Sequence, residues 1–99
     1  MARYDVYLNR REDGYLLDVQ SDLLDGLDTR VMVPLLVDIR GRSPVPRLNP
    51  TFMFEGKRLV VYSQLLSAVL ENQLEIPRGN LRQHHDDIVA ALDMVFYGF

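Results

Sequence analysis

A mainly antiparallel β-sheet carrying one C-terminal helix, an α+β arrangement, is the fold class this sequence predicts. Three observations predict it. Short runs that alternate apolar and polar, or are rich in valine, leucine and isoleucine, occupy the chain up to about residue 70. Turn signals separate them: Asp13-Gly14, Glu55-Gly56 and the proline-rich stretch Arg40–Arg47. From about Leu81 the apolar period lengthens to that of a helix.

The elements follow in order. Tyr4 to Leu8 alternates, with Tyr4, Val6 and Leu8 on one face and Asp5 and Tyr7 on the other. Asn9 to Gly14 is a polar hairpin turn, and Tyr15 to Gln20 returns as a second strand. Ser21 to Thr29 is a loop whose Leu23-Leu24 pair is out of place unless something covers it. Val31 to Ile39 is a central strand. Pro34 interrupts it and implies an edge, a bulge or a bend, because proline has no N–H for the ladder. Leu48–Phe54 and Lys57–Tyr62 are strands joined by a tight turn at Glu55-Gly56. Leu65–Leu70 reads as strand or short helix, and Glu75–Gly79 as loop.

In the C-terminal helix, Ile88, Leu92, Val95 and Phe96 form one apolar stripe at i, i+4, i+7 and i+8. Asn80 with Gln83 is a candidate N-cap, and Asp86 and Asp87 suit the positive end of the helix dipole. Gly98 stands where a C-cap glycine belongs.

Ninety-nine residues predict a single domain, residues 1–99, with 47% hydrophobic and 25% charged residues. The net charge is −3, which disfavours direct nucleic-acid binding by the chain alone. Without cysteine there is no disulfide, thiolate metal site or cysteine nucleophile. The N-terminus has no apolar h-region, and no stretch is long enough for a membrane span, so a cytoplasmic protein is expected.

Candidate chemistry is sparse. His84-His85-Asp86-Asp87 offers at most two ligands on one helix face, short of the three or four that zinc requires, so a solvated helix start is expected and no metal or cofactor. The serines lack a nucleophile-elbow context, and the arginines of Arg40–Arg47 lack a phosphate-loop pattern. No enzymatic activity is expected. The aromatic terminus Phe96-Tyr97-Gly98-Phe99 is the exception to this plainness: it either packs into the core or forms a contact surface for another chain.

Several segments carry a family resemblance: Tyr4-Asp5-Val6-Tyr7, Asp18-Val19-Gln20-Ser21-Asp22-Leu23-Leu24-Asp25, Val33-Pro34-Leu35, Arg47-Leu48-Asn49-Pro50 and the Phe96-Tyr97-Gly98-Phe99 end. In this order, over nearly the whole chain, they resemble the CcdB family, toxins of type II toxin–antitoxin modules. The resemblance implies a small antiparallel barrel-like sheet with a second short sheet and a long C-terminal helix. It implies a homodimer that binds the A subunit of bacterial DNA gyrase and traps the cleaved-DNA complex without chemistry of its own. It further implies a CcdA-like antitoxin that neutralises the toxin and represses transcription with it.

By the same resemblance, the gyrase-binding residues are Leu23, Leu24, Asp93, Phe96, Tyr97, Gly98 and Phe99. The antitoxin-binding residues are Arg10, Arg11, Glu12 and Asp13. Three of these depart from the family pattern. Tyr97 replaces a tryptophan, Phe99 an isoleucine, and Asp93 an asparagine. Two alternatives stand beside the gyrase poison: a CcdB-fold dimer that binds antitoxin without poisoning gyrase, and, outside the family, a small hydrolase or nuclease.

Overall fold

Seven strands and one α-helix form in a computed structural model, which describes residues 2–11, 13–38 and 44–99; the first six strands and the helix follow the expected order, and a short seventh strand stands at Gly79–Asn80, where a loop end and a helix cap are expected. The strands are β1 (Asp5–Leu8), β2 (Gly14–Asp18), β3 (Thr29–Val37), β4 (Thr51–Phe54), β5 (Lys57–Val61), β6 (Ser67–Leu70) and β7 (Gly79–Asn80), followed by α1 (His85–Tyr97). All pairings are antiparallel, in the order β4-β5-β3-β2-β1-β7, with β6 branching from β3. Residues 40–43 of the expected loop Arg40–Arg47 and the end of the third strand at Ile39 lie outside the described residues.

Pro34 lies inside the longest strand, where a missing N–H would ordinarily break a ladder. On one edge of β3, residues 29–32 pair with β6 and residues 35–37 pair with β5. Pro34 falls between the two partners. Its carbonyl accepts the Tyr62 N–H at 3.0 Å on that edge, and the return bond that a residue-34 N–H would make is not missed, because the Tyr62 carbonyl accepts the Leu65 N–H at 2.9 Å instead. The proline thus marks the switch of partners, a local edge within a central strand.

The main core lies on one face of the sheet and includes Val6, Tyr15, Leu17, Val33, Leu35, Leu59 and Val61, closed by Leu81 and Ile88. The opposite face is also covered, which corrects the expected alternation in β1. Tyr7 is buried and Leu8 is exposed. Leu36, Val60 and Tyr62 make a smaller cluster there.

Local chemistry shapes the connections. Glu55 and Gly56 have φ of 50° and 75°, the two positive values of a hairpin turn whose twist matches the strands. A Cβ on Gly14 would lie 2.1 Å from the Leu35 carbonyl oxygen, so only glycine lets β2 approach β3 there. Strand β4 begins at Thr51, three residues later than expected, because Asn49 is buried in a turn and donates to the Val61 carbonyl at 3.0 Å. The 65–70 stretch uses both of its readings, a 3₁₀ turn at Ser63–Leu65 and then β6. Asn80 is not the N-cap of α1: it lies in β7, and its side chain accepts the Arg82 N–H at 2.8 Å at the entrance of the 3₁₀ turn Arg82–His84 that precedes the helix.

Candidate partner-binding surface

Helix α1 buries Ile88 and Ala91, and Leu92 packs against the core. The apolar stripe then runs off the protein. Phe96, Tyr97 and Phe99 are 63%, 69% and 72% exposed, so Phe96 is not a core residue and the tail does not fold back. Gly98 ends the helix in the left-handed region at φ 81°, and its N–H donates to the Met94 carbonyl at 3.1 Å. This turn places the Tyr97 and Phe99 rings side by side, 6.3 Å between centroids. Asp93 is three and four residues before Phe96 and Tyr97, so it shares their side of the helix.

The second apolar feature is the 3₁₀ turn Asp22–Leu24, where Leu23 is 94% exposed and Leu24 and Leu27 are about half exposed. Its polar groups hold it firmly. Ser21 Oγ accepts the Leu23 N–H at 3.2 Å, Asp22 Oδ1 accepts the Arg3 N–H at 2.9 Å, and the Gln20 amide donates to the Leu24 carbonyl at 3.1 Å. Asp25 pairs with Arg30 at 3.1 Å, and Arg30 reaches Asp18 at 2.8 Å. Arg30 and Asp18 are wholly buried. Burial works against the charge on Arg30, but Asp18 and Asp25 outweigh it and hold the guanidinium protonated. Sequence reasoning missed Arg30. An arginine within the alternating run of β3, on the side opposite Val31 and Val33, was the available signal.

These two apolar features are not adjacent within one chain. Arg3 and Tyr4 link the leucine turn to the start of α1: Arg3 through Asp22, and Tyr4 through a 2.5 Å hydrogen bond with His85 Nδ1. The tip lies at the other end of a 13-residue helix, about 20 Å along its axis.

The histidines are not simply a solvated helix start. His84 stacks on Phe52 with ring centroids 4.0 Å apart, and His85 meets Tyr4 edge-on. Among the described residues no three potential ligands cluster to hold a metal ion. No helix among them is long and apolar enough to cross a membrane.

The hairpin turn after β1 presents Arg10, Arg11 and Asp13 at the surface, while Glu12 lies outside the described residues. Arg10 forms an ion pair with Glu75. Arg11 has no ion-pair partner among the described residues; its N–H donates to Asn9 Oδ1 at 3.0 Å, which shapes the turn.

No curated protein sequence matches the chain. Among solved structures it is similar to an endoribonuclease in complex with its cognate antitoxin from a mycobacterial species. The TM-score is 0.78 at 15% identity, over 97% of this chain and 94% of that one. It is also similar to the Mycobacterium tuberculosis toxin MazF-mt6, with a TM-score of 0.70 at 12% identity, over 93% of this chain and 95% of that one. These likenesses show a shared fold. The family model described as CcdB protein matches residues 3–98, nearly the entire sequence, and the chain belongs to the CcdB family.

Proposed function

We propose that this chain is the toxin of a type II toxin–antitoxin module that acts in the cytoplasm by binding. It engages the A subunit of bacterial DNA gyrase, traps the gyrase–DNA cleavage complex, and is neutralised by a CcdA-like antitoxin. One observation carries the reading: in a chain of the CcdB family, the aromatic tip Phe96, Tyr97 and Phe99 is left in solvent at the end of a helix whose earlier residues Ile88, Ala91 and Leu92 are packed. Exposed aromatics are the usual anchors of protein interfaces. Asp93 beside them suits a cationic partner, and the faces of Phe96 and Tyr97 suit an arginine.

Leu23 and Leu24 supply a second apolar contact, held in place by the Asp25–Arg30–Asp18 chain. The tip sits a helix length, about 20 Å, from the end of α1 that is tied to the leucine turn, which favours a homodimer as the active form, since a second copy can bring one chain's turn toward the other's tip. The turn carrying Arg10, Arg11 and Asp13, with its neighbour Glu12, is the antitoxin contact in this reading. Arg11 is its cation without an ion-pair partner among the described residues.

A second reading, ribonuclease activity, draws on the fold likeness to an endoribonuclease. The net charge of −3 weighs against a grip on RNA phosphates. Purified gyrase decides between the readings. The intact chain should inhibit supercoiling and trap cleaved DNA, and the chain lacking Tyr97–Phe99 should do neither. Cleavage of RNA by the intact chain with no effect on gyrase would select the second reading. A sound dimer that binds antitoxin and acts on neither substrate would leave a CcdB-fold binding protein.

A further inference from the structure

A groove of ≈ 440 Å³ lies between β1 and the segment 71–77. Three of its lining residues, Asp5, Glu71 and Glu75, are carboxylates, and none is basic. Tyr7, which also lines it, is 1% exposed, and its buried hydroxyl makes no hydrogen bond of ordinary length among the described residues, with the Asp5 carboxylate beside it as a longer-range acceptor for its proton. A buried polar group is ordinarily satisfied, so this hydroxyl has bonding capacity left for a guest. The carboxylates differ in their commitments. Asp5 already accepts the Ala2 N–H at 3.0 Å and the Asn80 amide at 2.9 Å. Glu75 holds Arg10. Glu71 has no ion-pair partner among the described residues.

We propose that this groove is a receptor for a guanidinium group and seats an arginine side chain of a peptide partner. The identity of that peptide as the antitoxin segment rests on the functional reading above. A guanidinium presents a planar fork of donors, which suits two carboxylates and a hydroxyl oxygen better than the compact lysine ammonium does. Leu74 and Pro77 supply apolar wall for the aliphatic stem. Burial first, then Asp5, pushes the Tyr7 hydroxyl up to about 12, so at neutral pH it is uncharged and its oxygen accepts an N–H. Arg10 on Glu75 shows that the rim already accommodates a guanidinium, and it is the group an incoming arginine displaces. Arg10 also joins the groove to the hairpin turn assigned to the antitoxin, making one continuous surface.

The test is amide NMR of the full chain titrated with N-acetyl-argininamide, N-acetyl-lysinamide and the neutral isostere N-acetyl-citrullinamide. The arginine probe should shift the amides of Tyr7, Glu71 and Glu75 saturably, the lysine probe less, and the citrulline probe not at all. Glu71→Gln should weaken the arginine probe about threefold to fivefold, and Arg10→Ala should strengthen it by releasing Glu75. Tyr7→Phe should weaken it as well; should that variant fold poorly, the surface change Glu71→Gln carries the test. Equal binding of the citrulline probe, a lysine probe as good as arginine, or no effect of Glu71→Gln would each overturn the proposal. No antitoxin is present in the titration, so its failure leaves the antitoxin reading standing. A groove that takes the probe in a chain no antitoxin neutralises separates the reverse case.

Discussion

Arg30 Nη1 lies 3.1 Å from Asp25 Oδ1, which joins a guanidinium buried in the sheet to a surface carboxylate beside Leu23 and Leu24. The same guanidinium reaches Asp18 through Nε at 2.8 Å. One arginine therefore neutralises a buried acid and anchors the turn that exposes two leucines. An apolar turn held only by its leucines would fold inward; polar anchoring keeps it outward.

Asp18 and Asp25 should differ sharply when removed. Asp18→Ala leaves the buried guanidinium with only the half-exposed Asp25 as counter-charge and should cost about 3 kcal/mol in urea unfolding. Asp25 is more than half exposed, and Asp25→Ala should cost no more than about 1 kcal/mol. Its effect should appear instead as faster hydrogen exchange at residues 22–27, measured by mass spectrometry.

The tip should be dispensable for folding. Deleting Tyr97, Gly98 and Phe99 removes exposed rings and one cap bond, so thermal stability should fall by about 1 kcal/mol or less. Gyrase trapping should disappear. Tyr97→Ala should weaken gyrase binding by about 2 kcal/mol or more, roughly thirtyfold. Tyr97→Trp should keep it or improve it by about 0.5–1 kcal/mol, because indole is the better face for an arginine. A truncated chain that traps gyrase as well as the intact one would remove the tip from the mechanism.

Leu23→Asp should leave stability within about 0.5 kcal/mol, since that side chain is 94% exposed. It should still impair gyrase inhibition. Unchanged inhibition by a folded Leu23→Asp chain would exclude the leucine turn from the partner surface.

Stability should fall as pH rises from about 10 to about 12. Tyr7 ionises near 10 when unfolded and near 12 when folded, so in that window the unfolded chain holds fewer protons. The contribution is complete below pH 10 and lost through pH 12, roughly 2–3 kcal/mol in all. Urea melts across this range should show the slope in the native sequence and a shallower one in Tyr7→Phe.

A homodimer is expected in solution. Leu65 and Phe96 are exposed on neighbouring elements, the 63–65 turn and α1. A stable interface requires roughly 1,200–2,000 Å² of buried area. Light scattering at micromolar concentration should give twice the chain mass, and a monomer there would count against the dimer.

The sequence by itself determined the local grammar of this protein. Alternation and β-branching located the strands, Glu55-Gly56 marked its hairpin, and Gly98 its helix cap, because each depends on neighbours within a few residues. The exposed tip was legible only as an either-or: Phe96 fitted the stripe, and whether that stripe stayed covered to its end depends on where the sheet stops beneath α1. Tertiary structure alone decided that Tyr7 is buried and Leu8 is not, since that depends on where the 71–77 segment lies against β1. It decided that Pro34 sits at a change of partners, that the two histidines rest against Phe52 and Tyr4, and that Arg30 reaches both Asp18 and Asp25. Those contacts join residues far apart in the chain or on different elements, and side-chain periodicity carries no record of which strand lies beside which.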